Sequence, residues 1–172
     1  EEPSSLAMML QQAGWPASRR TLEAVDLSRA AIDSALLGRY RGHSFRGNLM
    51  GFRSEFFKEL VDQHPLLTDE QQSQIPKTNL WELSEPIRNS IQYSVQNVFE
   101  LPDRYTSYDV ILCRHLLIYL TPSARDRLFE IVAERLKPNG LLVVAACEFA
   151  LPPLHRFTPI SREGIVLFRN QP

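Results

Sequence analysis

No apolar run in this sequence is long enough to cross a bilayer. The longest, Asp109 to Leu120 and Leu141 to Cys147, are too short or too interrupted by polar residues. Cysteine is scarce. Cys113 and Cys147 each sit inside an apolar run, which suits a small buried hydrophobe better than a disulfide framework. His43, His64, His115 and His155 are scattered without metal-ligand spacing, so no metal site is expected. A charge excess is also lacking, because 19 Lys and Arg face 20 Asp and Glu. Nothing therefore advertises a nucleic-acid or anionic-membrane partner. With no signal peptide in view, the cytoplasm is the expected compartment. Neither an internal repeat nor a low-complexity tract interrupts the chain.

What is present is the ordinary balance of one soluble domain, 172 residues of which 44% are hydrophobic and 23% charged. Ser5 to Gln12 reads as a helix entered from a loop, with Pro3 tolerated in its first turn. Thr21 to Asp26 reads as a short strand ending in an acid. Ser28 then caps a helix whose apolar side is Ala30, Ala31, Ile32, Ala35 and Leu36, and Gly38 closes it. Residues 41 to 90 read as an irregular insertion. Phe52, Phe56 and Phe57 have short helical spacing there, and 62 to 86 is a polar excursion punctuated by Pro65, Pro76 and Pro86. Ile91 to Val95 alternates as a strand does.

The second half is plainer. Tyr108 to Cys113 is a nearly continuous apolar strand, as expected of a parallel strand covered on both faces. Thr121 caps a helix with Pro122 at its first position, and Leu128, Ile131, Val132 and Leu136 mark its face. Lys137-Pro-Asn-Gly140 ends that helix and turns the chain into a second buried strand, Leu141 to Cys147. Strand candidates at Arg156 to Thr158 and Gly164 to Phe168 would form a terminal hairpin. Strands alternating with helices predict an α/β layer with a mostly parallel sheet, helices on both faces, and a C-terminal antiparallel hairpin. Ligands of such sheets sit beyond the carboxyl ends of the strands. That directs attention to Asp26, Asn97 and the segment Arg114 to Tyr119.

Each of these residues has two readings. Asp26 can accept the hydroxyls of a ribose, or it can cap the next helix with Ser28. Asn97 offers an amide donor and acceptor to an adenine edge, or it is a turn asparagine. Arg114 and His115 put charge where a buried strand ends, suggesting an active-site rim. The plain alternatives are an arginine paired with a helix carboxylate and a Tyr119 ring that packs in the core.

Together these segments resemble the CheR family of chemotaxis-receptor glutamate methyltransferases. Glu1-Glu-Pro-Ser-Ser-Leu-Ala-Met8 is similar to the family's Gly-Glu-Glu-Pro-Tyr-Ser-Leu/Ile-Ala. Asp26-Leu-Ser28 and the closing Gly38-Arg-Tyr40 resemble its second-strand acid and helix. Tyr108-Asp-Val-Ile-Leu-Cys-Arg-His-Leu-Leu-Ile-Tyr-Leu120 resembles Phe-Asp-x-Ile-x-Cys-Arg-Asn-x-x-Ile-Tyr-Phe. Leu136-Lys-Pro-Asn-Gly140 matches a Leu-Lys-Pro-Gly-Gly turn, and Glu148 falls on the Glu of a Gly-His-Ser-Glu run. Three departures stand out: Ser4 for tyrosine, His115 for asparagine, and Ala145-Ala-Cys147 for Gly-His-Ser.

The resemblance implies a Rossmann-like methyltransferase domain over 1–172 that uses S-adenosylmethionine (SAM) and releases S-adenosylhomocysteine. It implies methyl transfer to glutamate side chains of a chemoreceptor-like signalling protein, giving methyl esters. A non-catalytic SAM-binding or protein-interaction module is the alternative. Glu1 is implied near the methionine end of the cofactor, Asp26 at the ribose, and Asn97 with Val98 beside the adenine. Cys113 and Arg114 are implied along the cofactor, and Tyr119 near the transferred methyl, with Tyr119 and Arg114 shaping the reaction site. The family's glycine-bearing first strand, and its amino-terminal helical domain with an active-site arginine, have no counterpart in this sequence. The domain is therefore expected to be truncated, with its first strand missing, and to bind SAM poorly alone. The implied partner is the cytoplasmic helical domain of a receptor, with no nucleic acid and no membrane insertion. Some members grip a receptor tail peptide with a small three-stranded insertion. Residues 41 to 90 do not show that pattern, which counts against tethering.

Overall fold

The computed structural model describes residues 1–45, 50–60, 79–105, 107–162 and 165–171. They fall into two compact units, Glu1–Gln96 and Asn97–Pro172.

The first unit runs α1 (Glu2–Gln12), β1 (Leu22–Asp26), α2 (Arg29–Leu37), β2 (Arg39–Arg41), α3 (Met50–Phe56), β3 (Phe57–Leu60), β4 (Leu80–Leu83), α4 (Glu85–Arg88) and β5 (Ile91–Val95). β1 and β5 pair in parallel, from Leu22 opposite Ile91 to Asp26 opposite Val95. Helix α1 starts earlier than Ser5, because Pro3 lies in the first turn where its missing N–H costs no bond. Ser28 Oγ accepts the Ala31 N–H at 3.2 Å and starts α2. Gly38 ends it at φ 62°, a left-handed conformation that favours glycine. The core gathers Ala7 and Met8 of α1 with Phe56, Leu83, Ile87 and Ile91. Of the predicted apolar side of α2, Ile32 alone is buried, and Leu36 is exposed.

The insertion is more ordered than the sequence indicates. β2, β4 and β3 form a three-stranded antiparallel sheet in that order. These strands are three or four residues long, too short for a two-residue alternation to register. Long-range bonds assemble them instead. Leu83 N–H donates to Gly38 O at 2.8 Å, and Gly42 N–H to Asn79 O at 3.0 Å. Arg53 lies over the Trp81 ring at 4.5 Å, and Phe45 meets Phe57 edge-on at 4.8 Å. The polar excursion expected at 62 to 86 lies outside the described residues as far as 78.

The second unit runs β6 (Tyr108–Leu112), α5 (Pro122–Arg135), β7 (Leu136–Val143), β8 (Phe157–Arg162) and β9 (Ile165–Asn170). β6 and β7 are parallel with α5 as their crossover, and β7, β9 and β8 continue antiparallel. The architecture is α/β, with parallel pairing where strands alternate with helices and an antiparallel C-terminal hairpin. Thr121 Oγ1 accepts the Ala124 N–H at 3.3 Å beside Pro122, as the sequence indicates. The buried face of α5 is Leu128, Phe129, Val132 and Ala133, one step around from the predicted stripe. Asn170 closes its far end, donating to Ala133 O at 3.0 Å from a buried position. The core adds Leu117, Leu136, Leu142, Phe157 and Phe168.

Two expectations change here. Lys137 to Gly140 is part of β7 rather than a separate turn. The register passes from Tyr108–Leu136 to Val110–Leu141, so these residues bulge out of the ladder, with Asn139 at φ 64°. Among the described residues of the second unit, strand β6 is covered on one face, not both. Ile111 and Cys113 pack on the core, whereas Val110 and Leu112, pointing the other way, are exposed.

Candidate active site

In the first unit Asp26 stands at the carboxyl end of β1. Its Oδ1 accepts the Ser28 N–H at 2.7 Å, so the side chain does make the turn that its plain reading requires. That bond uses one of the two carboxylate oxygens. Glu1 precedes α1 and borders a cleft of about 280 Å³ with Ser4, Met8, Tyr40, Phe45 and Phe52. Ser4 is buried, its hydroxyl 2.8 Å from the Tyr40 hydroxyl and 3.5 Å from that of Tyr93. Burial pushes both phenols above their ordinary value, partly offset by their bond to Ser4. The serine that replaces the family's tyrosine thus ties α1 to β2 and β5.

In the second unit Asn97 opens a turn of 3₁₀ helix, Val98–Glu100, and its Oδ1 accepts the Phe99 N–H at 3.1 Å. Its plain reading is met too, which leaves the amide group for other partners. Val98 is half-buried. Cys113 follows β6, and its N–H donates to Val143 O at 2.8 Å. Burial, reinforced by the negative charge of Glu148, pushes its thiol up to about 12. It is a neutral packing group and not a nucleophile.

Arg114 and His115 lie beyond it, both exposed. His115 has φ 56°. Asn, Asp and His are the non-glycine residues that best tolerate this region. The change from the family's asparagine therefore sits where backbone conformation is the requirement. Leu117 is 0% exposed and anchors a 3₁₀ turn, Leu117–Tyr119. Tyr119 is 78% exposed, so its ring is not the core residue that the plain reading supposed.

Beneath this hook lies Glu148, 0% exposed, in a 3₁₀ turn beyond β7. Its Oε2 accepts the His115 N–H at 3.0 Å and the Ala145 N–H at 3.1 Å. Its Oε1 accepts the Leu117 N–H at 2.9 Å and the Ile118 N–H at 3.4 Å. Burial alone raises a carboxyl. The four backbone donors together outweigh that and hold Glu148 below its ordinary value. Sequence reasoning placed Glu148 by resemblance and missed this role, whose one local signal is an acid directly after an apolar run. It also missed Arg135, whose guanidinium donates to the carbonyls of Leu101, Pro102 and Tyr105 and holds the loop before β6. Glu1 and Asp26 thus belong to the first unit, and Asn97, Val98, Cys113, Arg114 and Tyr119 to the second. Among the described residues no group of His, Cys, Asp and Glu could hold a metal ion, and no helix is long and apolar enough to cross a membrane.

The family model described as "CheR methyltransferase, SAM binding domain" matches residues 1–161. A "Probable biofilm formation methyltransferase WspC" of Pseudomonas aeruginosa is 29% identical over 172 residues, covering 99% of this chain and 37% of that protein. Its namesake in Pseudomonas putida is 31% identical over 153 residues, 88% of this chain and 32% of the other. A "Chemotaxis protein methyltransferase" of Listeria monocytogenes is 28% identical over 154 residues, covering 89% and 51%. The chain thus spans between a third and a half of the length of these relatives. Among solved structures, the N-methyltransferase NodS of Bradyrhizobium japonicum aligns with a TM-score of 0.46 and 12% identity over 88% of this chain and 74% of that one.

Proposed function

This chain belongs to the CheR methyltransferase SAM-binding domain family, and we propose that the full-length protein methylates glutamate side chains of a chemoreceptor-like signalling protein, forming glutamyl methyl esters. The observation that carries this reading is the hook beyond β6. An exposed Tyr119, with Arg114 close by in sequence, stands past the carboxyl ends of the parallel pair β6–β7. Ligands of α/β sheets bind at that rim. The reading puts the reaction in the cytoplasm, on a receptor's helical domain. The three-stranded sheet also removes the argument made from sequence against a tail-peptide contact.

The donor chemistry suits SAM. Asp26 has a second carboxylate oxygen for ribose hydroxyls, and Asn97 an amide group for an adenine edge, each held by a turn bond that occupies only its Oδ1. Val98 lies beside Asn97 with an apolar surface, and Glu1 supplies an anionic group suited to an ammonium. When bound, SAM supplies an electrophilic methyl group on a sulfonium, so the hard chemistry is the cofactor's. The acceptor carboxylate is already ionised at neutral pH, because its ordinary pKa is about 4.3. No general base is then required of Tyr119, which we assign to positioning. Arg114 is assigned to shaping the anionic end of the acceptor. What the chain contributes is alignment and exclusion of water.

Tritium transfer from methyl-labelled SAM to the cytoplasmic fragment of a chemoreceptor, using the full-length protein, tests this. Label released as methanol by base is the expected result. Base-stable label would mean another acceptor atom, and no transfer would leave the non-catalytic module standing.

A further inference from the structure

We propose that Glu148 is a positioning residue for methyl transfer: its carboxylate clamps the backbone of 115–118 and so sets where Tyr119 stands. This rests on the assignment of Tyr119 above. Three observations combine. First, Tyr119 is 78% exposed, so packing around its ring cannot fix its place, and the backbone before it must. Second, that backbone is a tight hook. It carries a left-handed residue at His115 and a fully buried core anchor at Leu117. Third, the N–H groups of His115, Leu117 and Ile118 point inward at one buried carboxylate, which the Ala145 N–H also reaches. Backbone N–H groups turned toward one point form an anion-binding concavity. Here the anion is the protein's own, delivered from the turn after the neighbouring strand.

The chemistry explains why the group is a carboxylate. Each oxygen faces two donors, and a carboxylate accepts only. A glutamine of the same shape would set its NH₂ against two of those N–H groups in either orientation. The hook would then shift, and sub-ångström to ångström displacements of a positioning group cost rate far more than binding. Glu148 bonds to the backbone of the hook, and that is the route by which it acts on turnover.

The test is a kinetic double-mutant cycle in the full-length protein, with labelled SAM and a chemoreceptor cytoplasmic fragment as acceptor. Glu148→Gln is expected to lower kcat at least tenfold while KM for SAM changes less than threefold. In a Tyr119→Phe background the same substitution is expected to change kcat less than twofold. Equal effects in both backgrounds, or an unchanged kcat in the first, would overturn the proposal while leaving Tyr119 in place. If Tyr119→Phe alone leaves kcat unaltered, the assignment of Tyr119 falls and the positioning role with it. Should Glu148→Gln fail to fold, His115→Ala takes its place. Ala tolerates the left-handed position less well than His, so it strains the hook there while keeping all four donors. A lower kcat that is non-additive with Tyr119→Phe supports the clamp, and an additive effect or none refutes it.

Discussion

Asp26 satisfies two readings at once, and a pair of substitutions separates them. Its Oδ1 accepts the Ser28 N–H at 2.7 Å, a turn bond needing only an oxygen. A ribose contact would use the charge. Asp26→Asn keeps an oxygen for Ser28 and removes the charge. Asp26→Ala removes both. A hydrogen bond to an ionised group contributes about 1.5–3 kcal/mol against about 1 for a neutral one. Asp26→Asn should therefore weaken SAM by about 1.4 kcal/mol, or roughly tenfold. With the turn intact, its ligand-free Tm should stay where it was. Asp26→Ala should weaken SAM further and also lose about 0.5–1.5 kcal/mol of stability, a Tm lower by about 1–6 °C. Titration calorimetry with SAM and thermal unfolding without it, both on the full-length protein, give the two numbers. If Asp26→Asn binds SAM within twofold of the parent, the carboxylate serves the turn alone and the ribose assignment is wrong.

Two further outcomes concern stability. A Cβ at Gly140 would lie 2.9 Å from Lys137 O and 3.1 Å from both Tyr108 O and Leu136 Cδ2. Two of those atoms are backbone at the β7 bulge, so Gly140→Ala should cost about 1–3 kcal/mol in chemical denaturation, and a cost under about 0.5 would mean the bulge yields freely. Glu148 is held below its ordinary value in the fold, so it adds stability above that ordinary value and loses it as pH falls through the folded value. The Cys113 thiol, near 12, stays neutral across the acid range and adds no slope there. Glu148→Gln should therefore flatten the loss of stability as pH falls below the ordinary glutamate range, and identical slopes in the two proteins would contradict the clamp.

Signals confined to one turn of chain were legible. Ser28, Gly38 and the Thr121–Pro122 pair each act on bonds within four residues, and the structure shows them doing what their chemistry dictates. The strand candidates at 91–95 and at 108–113 stood out for the same reason, since runs of five or six residues carry their own period, and strands form at 91–95 and 108–112. The insertion was opaque because β2, β3 and β4 are too short to hold a period and find partners up to 43 residues away, as Arg39 does in Glu82. Arg135 was opaque as well, because its carbonyl acceptors lie about 30 residues earlier in the chain.

For the candidate site the division is the same. Residue types and their order alone determined that an acid ends β1, that an asparagine follows β5 and that an arginine and a tyrosine follow β6. Only the tertiary structure decided that Tyr119 stands in solvent while Leu117 is sealed in the core. It also decided that a glutamate 33 residues beyond His115 holds the hook between them. The reason is physical. Caps and strand ends are set by forces that decay within a turn, whereas a buried carboxylate is stable only where distant backbone donors converge on it. No stretch of sequence contains that convergence.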